Sequence, residues 1–223
     1  MTKKKEPRRL APAKNGNFSI EKPEHEEMKW ERILVRSGFV YKKLGQGFDM
    51  TPETAQNLIF FEKLLKAVGL EKSLQEKLFL PPSPTVDQSE WLQAVEKCHT
   101  GAEGGLYDEL DIMDTYMAGI VRWLNEIGIF TDISCDGHER KPPSLCLRNK
   151  QDACIVNACL ALLSGNVWRF QDNRLTCRQM VRNGFSNNNP RFRRYWLLDV
   201  AEKLHEKKNE LQELVVKMRE FVK

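Results

Sequence analysis

The stretch from Gly128 to Leu147, GIFTDISCDGHERKPPSLCL, constrains this chain more than any other. Ile129 to Ile133 reads as a short strand, with β-branched and apolar residues at its start. A polar turn follows, Ser134-Cys135-Asp136-Gly137-His138, in which Gly137 supplies the backbone freedom a sharp reversal needs. Pro142-Pro143 disfavour helix for the residue before them and keep the chain extended. Ser144 to Leu147 then pairs back as a second strand. A two-stranded unit is marginal alone in water, so this one requires further strands or helices to bury its apolar side.

The flanking sequence supplies mostly helices. Residues 1–23 hold Lys/Arg clusters, Pro7, Pro12, Asn15-Gly16-Asn17 and few apolar residues, and read as a disordered basic tail. Residues 24–84 read as a helical region. Glu24 to Ser37 is predicted as a helix and Phe39-Val40-Tyr41 as a short strand. Gly45-Gln46-Gly47 lacks the spacing and Lys-Ser/Thr pair of a phosphate loop, so it is read as an ordinary loop. Thr51-Pro52 opens a helix in which Leu58, Phe61, Leu64, Leu65 and Val68 recur at helical spacing, with Gly69 as its stop. A further helical segment, Glu71 to Phe79, ends at Pro81-Pro82-Ser83-Pro84, the best linker in the chain.

Residues 85–223 read as an α+β domain that contains the Cys-Asp-Gly-His turn. Asp87 to Cys98 is a short helix. Asp111 opens a helix with a wide apolar stripe, Met113, Tyr116, Met117, Ile120, Val121, Leu124 and Ile127. The acids Asp108, Glu109, Asp111 and Asp114 suit the positive end of that helix; Asp111 or Asp114 as a metal ligand or general base is the alternative. Asp152 to Leu163 is apolar nearly all round and is predicted as a buried helix, with Cys154 and Cys159 in the core. Val167 to Phe170 and Leu175 to Cys177 are strand candidates around Asp172-Asn173. A last helix from Arg194 to Val222 places Leu197, Leu204, Leu211 and Met218 seven apart. It is expected to lie on its own domain, with a protein partner on this helix as the alternative. The fold class is therefore α+β: a helical N-terminal region, then a small, mostly antiparallel sheet packed on helices, with a long C-terminal helix.

No apolar run approaches the roughly 20 residues that span a bilayer, so no membrane partner is expected. The N-terminus lacks the apolar core of a secretory signal. Six cysteines without an export signal point to reduced thiols and a cytoplasmic location. A net charge of +4 permits an anionic partner.

The turn itself supports four readings. As a metal site, Cys135 and His138 have the two-residue gap of a ligand pair, and Cys146 on the return strand is the nearest third ligand; Cys98, His99 or Cys177 would complete a closed zinc site. Zinc held there would supply an activated water, with Asp136 or an upstream aspartate as base. As a nucleophile, Cys135 would draw on His138, Arg140 or Lys141 for activation. Its spacing to Arg140 is similar to that of rhodanese-type anion loops, but those lead into a helix and Pro142-Pro143 leads into an extended run, so that family is set aside. As an anion site, His138, Arg140 and Lys141 would hold a phosphate or nucleotide. As a purely structural turn, Asp136-Gly137 reverses the chain, Cys135 packs and His138 is exposed.

Downstream, Trp168-Arg169-Phe170, Arg174, Arg178, Arg182 and Pro190-Arg191-Phe192-Arg193-Arg194-Tyr195-Trp196 interleave arginine with aromatics. Arginine forks pair with phosphate and aromatics stack on bases. Arg178, Arg182, Arg191, Arg193 and Arg194 are thus nucleic-acid-binding candidates, although no named module is matched. The leading expectation is a cytoplasmic metal-dependent or thiol-based enzyme, a hydrolase in its metal form, acting on a phosphate-bearing substrate such as nucleic acid. Cys135, Asp136 and His138 would be catalytic; Cys135, His138 and Cys146 would bind zinc. The alternative is a non-catalytic adaptor for nucleic acid or protein.

Overall fold

The structure, a computed structural model, describes residues 9–12, 18–21, 26–75, 78–100, 109–138, 142–165, 167–177 and 190–221, with side chains from 26 onward except 190–194. Arg140, Lys141, Arg178 and Arg182 lie outside them. Arg191, Arg193 and Arg194 lie on a helix whose side chains are not described at those positions.

Within the N-terminal tail, β1 (Arg9–Pro12) and β2 (Phe18–Glu21) pair antiparallel. Next come β3 (Glu27–Met28) and α1 (Trp30–Ser37). The helix starts later than its apolar pattern predicts because Glu27 and Met28 pair with β7 (Val86–Asp87). It ends at Gly38, whose φ of 80° lies in the left-handed region. A Cβ there would meet Arg122 Cγ at 2.8 Å and the Ala118 carbonyl oxygen at 2.9 Å, so only glycine lets this corner approach α4 (Ala118–Glu126). Pairing then starts at Lys42, not Phe39: β4 (Lys42–Leu44) and β5 (Gly47–Asp49) form a hairpin across Gly45-Gln46, and β6 (Phe79–Leu80) joins β5.

Helix α2 (Ala55–Ala67) is capped by Thr54, whose hydroxyl accepts from the Asn57 N–H. Thr51 is held instead in a turn by the Asp49 carboxylate, at 2.9 Å. The described part of 71–79 forms turns and a bridge from Gln75 to Phe79 rather than a helix. Helix α3 (Gln88–Cys98) begins where predicted, with Asp87 as its cap.

Residues before and after the proline cluster share one apolar core. Trp30 lies edge-on to Trp91, centroids 5.7 Å apart, and to Phe61 at 6.1 Å. Helix α4 runs through the middle. A Cβ on Gly119 would stand 2.6 Å from the Arg36 carbonyl oxygen and 2.8 Å from Ala201 Cβ, so a residue without a side chain brings α1, α4 and α6 (Pro190–Glu206) together. The expected single last helix is two, α6 and α7 (Lys208–Phe221), separated at Lys207. Leu197, Leu204 and Leu211 of the heptad stripe are buried in the chain's own core, with Met218 packed at its border.

Two polar networks lock this arrangement. The buried carboxylate of Glu53 accepts from Arg122 at 3.0 Å, Asn57 at 2.9 Å, and the backbone N–H groups of Val40 and Thr54 at 2.7 and 2.9 Å. Asn57 in turn accepts from the Leu110 N–H. On the other side Arg36 donates to Gln88, Asp199 and Glu202, and Arg32 also reaches Glu202.

The second network and its neighbour His205 make stability depend on pH. Burial pushes the Glu202 carboxyl up, but the hydrogen bonds and charges of Arg36 and Arg32 outweigh it and leave it below its usual range. Burial against Trp123 and Tyr41, helped by the charge of Lys208, pushes the His205 imidazole down; Glu31 opposes this weakly. In both cases the unfolded chain binds protons more readily, so stability rises with pH through each window. The His205 contribution is expected to be lost first, as pH falls below about 6.5; the Glu202 contribution follows as pH falls through its lowered pKa. Unfolding midpoints measured in urea from pH 7 to pH 4 check this: His205→Gln should flatten the upper part of the curve only.

The largest sheet has the order β10-β11-β9-β8, all antiparallel, from β8 (Thr131–Cys135), β9 (Ser144–Leu147), β10 (Trp168–Gln171) and β11 (Arg174–Cys177). Helix α5 (Lys150–Ser164) covers one face, over buried Leu145, Leu147, Trp168, Leu175 and Cys177. It is not buried all round. Cys154 is exposed and Leu162 is 72% exposed, because the sheet, α6 and α7 cover only part of the helix, while Cys159 is core and burial pushes its thiol up to about 11. The interleaving of arginine and aromatics in β10 is strand alternation: Trp168 faces α5 and sits 6.2 Å from Trp196, while Arg169 points away and is exposed. Tyr195 likewise packs edge-on against Tyr116. Trp168, Tyr195 and Trp196 are therefore packing residues rather than a stacking platform. No helix among the described residues is long and apolar enough to cross a membrane.

Candidate metal centre

Helix α4 and strand β8 build the site between them. The helix rises about 12 Å from its first residue to its ninth and the strand returns over about 14 Å. The end of β8 therefore arrives level with the chain just ahead of α4. That chain is not helical, contrary to the apolar stripe: residues 110–117 form turns, and α4 begins only at Ala118. The Asp114 carbonyl accepts from Met117 and Ala118 at 2.8 and 3.0 Å, which starts the helix and leaves the Asp114 carboxylate free to face the β8 turn.

One oxygen of that carboxylate accepts the Asp136 N–H at 2.8 Å, and the other lies 3.5 Å from His138 Nε2. The turn is fixed internally as well. The Asp136 carboxylate accepts the His138 N–H at 2.8 Å, and Cys135 Sγ accepts the Gly137 N–H at 3.3 Å. Gly137 and His138 both have positive φ, 87° and 44°. Histidine is among the few side chains that tolerate this region, and it turns the imidazole back over the site, with Nδ1 3.5 Å from Asp136 Oδ1.

Asp114, Cys135 and His138 thus bring one oxygen, one sulfur and one nitrogen within 4.8 Å of one another. Tetrahedral ligands on bonds of about 2.0–2.3 Å stand about 3.3–3.8 Å apart, so a shift of about 1 Å would close the set on an ion. The donor set suits zinc, which accepts all three atom types. Asp136, 2% exposed, stands behind the ring nitrogen that faces away from Asp114, the place of a carboxylate that orients a metal-bound histidine. The His138 side chain is 63% exposed, which keeps one side of the cluster open to solvent.

Electrostatics separate the metal and nucleophile readings. Burial pushes the Cys135 thiol up, and the charges of Asp114 and Asp136 act in the same direction against the Gly137 N–H. A thiol held protonated beside carboxylates is a poor nucleophile. The same arrangement favours a cation, which deprotonates a coordinating thiol.

The other expected ligands lie elsewhere. Cys146 is paired with Ile133, two residues along from Cys135 on the same face of the sheet, and is not in the cluster. Cys177 is buried on the opposite, α5-facing side. Asp111 is buried, reached by Gln56 at 3.4 Å, and is also outside the cluster. Asp114, 21 residues before Cys135 and raised from the sequence only as the alternative to a helix-end acid, is the member of the cluster that no local spacing rule links to the turn. No protein-family model matches this chain, and neither does any curated protein or solved structure.

Proposed function

We propose that Asp114, Cys135 and His138 hold a zinc ion and that the protein is a metal-dependent hydrolase of phosphate-bearing substrates. The observation that carries the reading is the convergence of oxygen, sulfur and nitrogen donors from two distant segments, with a buried carboxylate behind the histidine. Three ligands among the described residues, with an open side, match a catalytic rather than a closed structural site. When bound, the ion supplies Lewis acidity and lowers the pKa of a water. Asp136 orients His138 and holds the turn closed. The solvent-facing edge of His138 is the side from which a substrate approaches. A thiolate ligand needs a reducing compartment, so the reading places the protein in the cytoplasm.

Elemental analysis of the purified protein tests it. About one zinc per chain is expected in the wild type and none in a Cys135→Ala/His138→Ala variant that keeps its far-ultraviolet dichroism. Metal content unchanged by the double substitution, or a wild-type chain that neither carries nor takes up zinc, removes the proposal and leaves the turn structural.

A further inference from the structure

We propose that the open face of the four-stranded sheet carries a single strand of nucleic acid, held at Arg169 and Arg174 and led to the Asp114–Cys135–His138 cluster; this names the substrate class for the metal-site reading and rests on it. The register sets two rows across that face. One runs Cys135–Ser144–Thr176–Arg169 and the other Ile133–Cys146–Arg174–Gln171, each residue directly opposite the next on the neighbouring strand. Opposed residues in an antiparallel sheet point to the same side. The burial pattern agrees: Ile133, Arg169, Gln171 and Arg174 are exposed, Ser144, Cys146 and Thr176 are half-buried, and their sequence neighbours Leu145, Leu147, Trp168 and Leu175 face α5.

The middle of this face is low, because Ser144, Cys146 and Thr176 have short side chains. Its two ends differ in charge. Cys135 and the carboxylate of Asp114 stand at one end. Arg169 stands at the other, on edge strand β10, with Arg174 beside it on inner strand β11, and neither has a carboxylate partner among the described residues. Unpaired guanidinium forks on an open face favour phosphate, which they bind in bidentate fashion.

Dimensions choose among phosphate ligands. Three strand spacings of about 4.8 Å separate Cys135 from Arg169, about 14 Å between backbones. A small phosphate ester at the cluster would not reach Arg169, whereas an extended strand touches the cluster, Arg174 and Arg169 in turn. The two rows lie about 7 Å apart, the room of one chain rather than a duplex. Arg169 and Arg174 are diagonal neighbours, about 7–8 Å apart at Cα, so their long side chains meet successive phosphates. The aromatics of β10 belong to the other side of the sheet, Trp168 buried and Phe170 37% exposed opposite Leu175, so the contact on this face is to the backbone, independent of base and sensitive to salt.

The test is titration of a labelled oligothymidylate with the full, zinc-loaded chain over a range of salt concentrations. Each phosphate contact on a single strand contributes about 0.7 to the slope of log K against log salt. Arg169→Ala/Arg174→Ala is expected to lower the slope by about 1.4 and weaken binding, while Arg169→Lys/Arg174→Lys keeps the slope. Dichroism and the unfolding midpoint verify that both variants are folded, and the lysine variant carries the comparison should the alanine variant not fold, loss of its slope then overturning the proposal. Wild-type slope and affinity in the alanine variant would overturn the proposal, as would no binding by the wild type or tighter binding of a duplex of equal length. Zinc is measured on the same samples. Arginine-dependent binding without zinc supports the strand site and removes the metal reading alone; zinc with no strand binding removes the strand site alone.

Discussion

Arg122→Leu is expected to destabilise the folded chain by about 3–5 kcal/mol, because it strands a carboxylate in the core. Glu53 has a side chain with no exposure, and Arg122 is its cationic partner at 3.0 Å. The three other donors to that carboxylate, from Asn57, Val40 and Thr54, are neutral and do not balance its charge. For a chain of this length about 2–4 °C of melting temperature is lost per kcal/mol, so the midpoint should fall by roughly 10 °C. Adding Glu53→Gln to the leucine variant should recover part of the loss, since the neutral amide removes the unpaired charge while keeping an acceptor. Coupling of about 0.5–3 kcal/mol between the two substitutions is the expected size for contacting residues. A leucine variant within about 1 kcal/mol of wild type, against that range, would mean that Arg122 is not what balances Glu53.

Asp114→Asn is expected to weaken zinc binding by more than the roughly 100-fold upper figure for loss of an outer-shell partner. Asparagine keeps an oxygen that accepts the Asp136 N–H, so the turn is retained and the charged ligand alone is lost. The metal-free variant should therefore unfold at a midpoint close to that of metal-free wild type. A second readout comes from the thiol. The charge of Asp114 is one of the causes that hold Cys135 protonated, after burial. Its removal lowers the thiol pKa, so alkylation of Cys135 in metal-free protein should become faster at neutral pH. Asp136→Asn should reduce zinc affinity less, by about 10–100-fold, as befits a residue that acts through His138. Equal zinc affinity in wild type and Asp114→Asn would show that the oxygen donor lies elsewhere.

Much of the fold is legible in the residues. The β8–β9 unit, the α3 cap at Asp87 and the β10–β11 turn at Asp172-Asn173 depend on neighbours a few positions apart, where turn chemistry and alternation act. Helix limits are less legible wherever a distant strand competes. Glu27 and Met28 have a helical pattern but pair with Val86 and Asp87. Residues 111–117 carry the apolar stripe of α4, yet they are drawn into turns, with Asp111 and Tyr116 buried and Asp114 bonded to the β8 turn. The stripe Leu197, Leu204, Leu211 is equally compatible with a coiled coil, and only the presence of α1, α4 and α5 shows that it is already covered.

The same division holds for the site. Cys135, Asp136, Gly137 and His138 are a turn by composition, closed internally by the His138 N–H on the Asp136 carboxylate two residues back and held from outside by Asp114. The sequence by itself thus determined a polar, cysteine- and histidine-bearing turn at the end of a strand. Tertiary structure decided what stands against it. A helix and a strand of nearly equal length bring Asp114, not Cys146, to within 3.5 Å of the imidazole. Sheet alternation sends Trp168 inward and Arg169 outward. Both outcomes depend on packing between segments tens of residues apart, where the geometry is set by lengths and faces rather than by any short-range preference.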